Sequence, residues 1–133
     1  MNNQIAQLSE PDVMFLERVS GRDSQHRDML AALLQRSEIV PPQRIHSDVV
    51  TMNSAVTLTD PAAHTTMTWT IVYPDDAQLD KGLLNVFSPV GMALLGARQG
   101  DQITVPLPNG GSGTMDITRV DFQPEANWAR RSA

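Results

Sequence analysis

The run Phe87-Ser88-Pro89-Val90-Gly91-Met92-Ala93-Leu94-Leu95-Gly96, followed by Gly100-Asp101, constrains this chain most. It predicts the end of a strand, a capped helix and a turn into the next strand. Ser88 suits the N-cap, because its hydroxyl accepts an orphan backbone N–H. Pro89 suits the first helical position, where no N–H is needed and φ is already set. Gly96 suits the left-handed residue that ends a helix. The helix is therefore expected to be about two turns long. On a helical wheel Val90, Ala93 and Leu94 share one side, and Met92 and Leu95 lie on the other. A short helix that is apolar on both sides must be covered twice. The parent sheet supplies one cover, and either another part of the chain or a partner protein supplies the second.

Upstream, residues 1–8 read as a polar, frayed start. Ser9-Glu10-Pro11-Asp12 reads as a helix opening, with Ser9 as cap and Asp12 in the capping-box position. Phe15, Leu16 and Val19 follow at helical spacing and predict the buried face. Gly21 ends this helix. Asp23 or Ser24 caps a second, with His26, Met29, Leu30, Leu33 and Leu34 along one face. The short link between them predicts an antiparallel helical hairpin, and Pro41-Pro42 reads as a linker.

From Asp48 the hydrophobic period changes to two. Val50, Met52, Val56 and Leu58 alternate with polar or small residues and predict a half-buried strand. Met67, Trp69, Ile71 and Tyr73 alternate with Thr66, Thr68, Thr70 and Val72 and predict a second. A turn at Asp60-Pro61 joins them. Leu83 to Phe87 is expected as a short third strand. Ile103, Val105 and Leu107 point one way in a fourth, where Pro106 demands an edge or a bulge. Asn109-Gly110-Gly111-Ser112-Gly113 reads as a hairpin loop. Thr114 to Phe122 is the last strand, with a bulge expected between Ile117 and Val120. Beyond it an irregular tail is expected, with Trp128 docked. The fold class is α+β: residues 1–44 form a short helical hairpin and linker, and residues 45–133 form an antiparallel sheet crossed by one short helix.

Composition narrows the function. The chain has 133 residues, no cysteine and a formal net charge of −5. Thiol chemistry and disulfides are excluded. No long uninterrupted apolar run and no basic-then-apolar start appear, so neither a membrane span nor a signal peptide is expected, and a cytoplasmic location is the expectation. The only paired basic residues are Arg130-Arg131, so direct nucleic-acid binding is not expected. An acidic protein is instead suited to a basic surface on another protein.

Val86 to Gly96, then Gly100-Asp101 and Pro108-Asn109-Gly110-Gly111, resembles the C-terminal domain of the Gre transcript-cleavage factors. With Asp48-Val49-Val50-Thr51-Met52-Asn53-Ser54 and Gln123-Pro124-Glu125-Ala126 added, residues 45–126 are similar to the Rnk type of that family, described as regulators of nucleoside diphosphate kinase. The resemblance implies an FKBP-like architecture for the second part and RNA polymerase as partner. Gre factors dock this domain at the rim of the polymerase secondary channel, and a long coiled coil carries acidic residues to the catalytic magnesium. Carried over, the docking surface is Phe87, Ser88 and Pro89, extended by the helix side with Met92 and Leu95. Phe87 departs from the acidic residue of some Gre factors. Each N-terminal helix here has only about 10–14 residues, so the arm is roughly 15–20 Å long. Binding without transcript cleavage is the expectation.

The remaining chemistry is sparse. His26, His46 and His64 lack zinc-helix spacing. Asp75, Asp76 and Asp80 lack a calcium-loop pattern and read as a solvated loop. No cofactor or metal site is expected. An FKBP-like fold also raises prolyl isomerisation or chaperone activity, with Trp69 and Tyr73 as the aromatic candidates, but core packing is the simpler role for both.

Overall fold

The computed structural model describes residues 5–106 and 110–127. Leu107, Asn109, Trp128 and the Arg130-Arg131 pair, read above, lie outside the described residues. Strand β1 (Ala6–Ser9) leads directly into α1 (Glu10–Ser20), a three-residue turn follows, and α2 (Ser24–Gln35) folds back before β2 (Ser37–Val40). Ser9 caps α1 by accepting the Asp12 N–H at 3.3 Å, and Gly21 ends it at a positive φ of 52°. Asp23 caps α2 by accepting the His26 N–H at 3.0 Å. Both helix starts and the first stop therefore follow the sequence signals.

Residues 6–9 do not, and residues 1–4 of the expected frayed start lie outside the described residues. Ala6 to Ser9 is a strand paired in parallel with Ser37 to Val40, and Leu8 and Ser9 are buried. A parallel pair needs a crossover, which here is the helical hairpin itself. The buried face of α1 also differs from the expected one. Val13, Leu16 and Ser20 are inside, whereas Phe15 and Val19 are exposed.

The second part is a five-stranded sheet in the order β5-β4-β3-β7-β6. It comprises β3 (Ala55–Asp60), β4 (Thr65–Val72), β5 (Leu83–Asn85), β6 (Gln102–Pro106) and β7 (Ser112–Phe122). Helix α3 (Pro89–Leu94) lies between β5 and β6 in sequence. Four of the strands are joined antiparallel, but β5 pairs with β4 in parallel, so the sheet is mixed. The α+β organisation stands.

Pro106 sits on the edge strand β6, where its missing donor costs nothing. Leu58 faces Ile117 while Thr57 faces Arg119, so Thr118 is the extra residue of the expected bulge. Residues 48–54 are not a strand. They form turns, Asn53 has a φ of 66°, and yet Val49, Val50 and Met52 are buried. Alternation there reflects a loop pressed on the core, not a ladder.

One apolar core serves both parts. Leu8, Leu16, Leu30 and Leu33 from the N-terminal unit join Met52, Leu58, Ile71, Leu94 and Ile117 in the same cluster. The hairpin thus packs on its own sheet.

Candidate functional site

The site is the junction of β5 and α3. Asn85 organises it: its Oδ1 accepts the Phe87 N–H at 2.9 Å, and its carbonyl accepts the Ser88 N–H at 3.0 Å and the Ser88 hydroxyl at 2.7 Å. Ser88 Oγ in turn accepts the Gly91 N–H at 3.0 Å. The hydroxyl therefore ties the strand end to the first helical turn, and Pro89 occupies the first helical position. Gly91 permits the close approach. A Cβ there would lie 2.4 Å from the Asn85 carbonyl oxygen and 2.9 Å from Val86 Cα. Gly96, at φ 86°, ends the element and donates to the Val50 carbonyl at 2.8 Å.

Both sides of α3 are covered, and this chain supplies both covers. Leu94 is fully buried, while Met92 and Leu95 are 7% and 1% exposed. The second cover is the N-terminal unit. Arg36 Nη2 donates to the Met92 carbonyl at 3.3 Å, and the Gln7 N–H donates to the Gly96 carbonyl at 3.1 Å. His26 stacks flat on Phe87, with ring centroids 4.2 Å apart and planes 5° apart, leaving Phe87 5% exposed. Of the five residues read as a docking surface, Ser88 is half-buried and Pro89 is exposed. Phe87, Met92 and Leu95 lie beneath them, because two apolar elements of one chain meet there.

At the tip of the hairpin the single carboxylate is already engaged. Asp23 caps α2, and its Oδ2 lies 3.6 Å from Nδ1 of His26. Among the described residues no three or more His, Asp or Glu side chains stand together as metal ligands. Trp69 and Tyr73, the isomerase candidates, pack against the core, and Tyr73 meets Phe15 edge-on at 6.3 Å.

A polar cluster escaped the sequence reading. Asp12 Oδ2 accepts the Met52 N–H at 3.1 Å. Thr51 donates to Glu125 at 2.7 Å and shares a 2.8 Å hydrogen bond with Ser54. Burial, reinforced by the charge of Glu125, pushes the Asp12 carboxyl up to about 6 despite the opposing bonds from Met52 and Ser9. Burial and then the two carboxylates push the Tyr73 hydroxyl well above its ordinary range. The cluster pins α1, the 48–54 loop and the C-terminal turn together. The acidic capping-box position was its only local signal.

Comparison with known proteins decides the family. The family profile described as "Transcription elongation factor, GreA/GreB, C-term" matches residues 45–122. The chain belongs to the GreA/GreB C-terminal-domain family. Within it, the chain is 38% identical over 99 residues to the "Regulator of nucleoside diphosphate kinase" of Escherichia coli strain K12, covering 74% of this chain and 73% of that protein. It is 38% identical over 82 residues to "Transcription elongation factor GreA" of Paracoccus denitrificans, covering 62% of this chain and 52% of the relative. The chain therefore spans about half the length of that GreA. Among solved structures, a "Prokaryotic transcription elongation factor GreA/GreB from Nitrosomonas europaea" superposes with a TM-score of 0.73 at 35% identity, covering 88% of this chain and 99% of that one. These GreA/GreB-type relatives are transcription factors and regulators, which does not favour the isomerase alternative.

Proposed function

We propose that this GreA/GreB-family chain is a cytoplasmic transcription regulator that docks on RNA polymerase near its secondary channel and does not cleave the transcript. The observation that carries the reading is a pairing of one kept feature with one shortened feature. The Ser88–Pro89 cap is formed and accessible. The helices that would form the arm have only 11 and 12 residues, roughly 16–18 Å each. They are, moreover, folded onto the sheet and share its core. Metal-assisted cleavage needs a ligand placed at the ion, and Asp23 at the hairpin tip is spent on the α2 cap.

In this reading Ser88 and Pro89 make the contact, while Phe87, Met92 and Leu95 hold the cap in shape from below. In this proposal polymerase is the partner, and no direct specific nucleic-acid contact, membrane or cofactor is involved. Any influence on nucleoside diphosphate kinase, the activity named for the E. coli relative, would act through transcription.

Pull-down of purified polymerase by the wild-type chain and by Pro89→Asp tests the docking edge. An aspartate at the first helical position suits the helix N-terminus, so the variant keeps its fold. Recovery of polymerase by wild type and its loss with Pro89→Asp is the expected result. Equal recovery by both, or none by either, contradicts the proposal.

A further inference from the structure

A concavity lies on the other flank of α3, away from the Ser88–Pro89 cap. It is a cleft of about 540 Å³ between the N-terminal strands and the α3–β6 connection, with Arg36 and Arg98 in its lining. In a chain of net charge −5, two arginines line this one cleft. Among the described residues neither is ion-paired. Arg98 Nε is buried and has no hydrogen-bond partner, so a strong donor is left unsatisfied. Arg36 spends one N–H on the Met92 carbonyl, and its guanidinium has four others. The cleft also holds one carboxylate, Asp101, whose Oδ2 is occupied by the Arg98 backbone N–H at 2.9 Å. Ile5, Ala93 and Ile103 add an apolar wall.

We propose that this cleft binds a phosphate-bearing small molecule. Arg98 and Arg36 hold the phosphate, and the apolar wall takes the body of the ligand. The terminal nitrogens of a guanidinium fork match phosphate oxygens two at a time. With Asp101 in the same lining the cleft carries one net positive charge, and a phosphate, with more acceptor oxygens than a carboxylate, can engage both guanidiniums at once. The cleft volume suits a ligand of nucleotide size. Its walls come from both parts of the chain, so a bound ligand braces the hairpin unit against the sheet. None of this depends on the polymerase contact.

Isothermal titration of the full chain at low salt, with inorganic pyrophosphate, ADP and acetate as probes, tests the proposal. The expected result is saturable binding of at least one phosphate probe, one molecule per chain, with no binding of acetate. Arg98→Gln should weaken it at least tenfold and Arg98→Lys should restore part of the affinity. Tighter binding of ADP identifies a nucleotide, and equal or tighter binding of pyrophosphate identifies free phosphate; either supports the site. In parallel, amide shifts of the wild-type chain should move at Ala97 and Ile103 during the titration, which locates the ligand even if a variant fails to fold. No saturation by either phosphate at about 10 mM, unchanged affinity in Arg98→Gln, or shifts confined to other regions would overturn it.

Discussion

Asp12 shows how one side chain carries a testable energy. Its carboxyl rises from an ordinary 3.8 to about 6 because burial opposes its charge. The folded state then holds a proton that the unfolded state has released between those values. Stability from this group is complete below pH 3.8 and is lost as pH rises through about 6, by roughly 2–3 kcal/mol. Asp12→Asn keeps an oxygen for the Met52 N–H and removes the charge beside Glu125. Chemical denaturation from pH 4 to 8 should show a flatter profile for Asp12→Asn, and at pH 8 a chain at least as stable as wild type. An unchanged slope would mean that Asp12 does not titrate in this window. His26 makes a smaller claim. Its ring lies on Phe87 in face-to-face contact, so His26→Ala should cost about 1 kcal/mol, and His26→Phe should recover most of it. Thermal melts of the two variants distinguish stacking from simple helix propensity.

Among the elements, α3 depends most on a missing side chain. Gly91→Ala would push a methyl group into the backbone of Asn85 and Val86. The helix must then back away from β5, at a cost of roughly 3 kcal/mol and a fall in melting temperature of about 10 °C. A shift under about 2 °C would show that the junction has room to relax. This element was also the most legible in the sequence. Ser88, Pro89 and Gly96 act on their immediate neighbours, so their effects need no knowledge of the fold. The caps of α1 and α2, the edge Pro106 and the Thr118 bulge were legible for the same reason. The short parallel strands β1 and β2 were not, because they pair across some 30 residues with only four positions each. The 48–54 loop imitated a strand because its buried residues alternate, although Asn53 turns the backbone left-handed. Half of the candidate site was hidden likewise. Ser88 and Pro89 announce themselves, but the cover of Phe87 by His26, and the meeting of Asp12 with Glu125, join residues far apart in sequence.

Over the whole molecule, the decisive feature is that hairpin and sheet share one core. In such an arrangement the helices are part of the wall of the domain and project only their short tip. The reading of a regulator that binds without cutting follows from that arrangement more than from any single side chain. The most direct test uses stalled elongation complexes on beads, with RNA labelled at its 5′ end, incubated with the full chain. After washing, retained protein and RNA length are read from the same sample. The account predicts that the chain stays with the complex and that the RNA keeps its length. Shortened RNA, or a chain that washes away entirely, would contradict it.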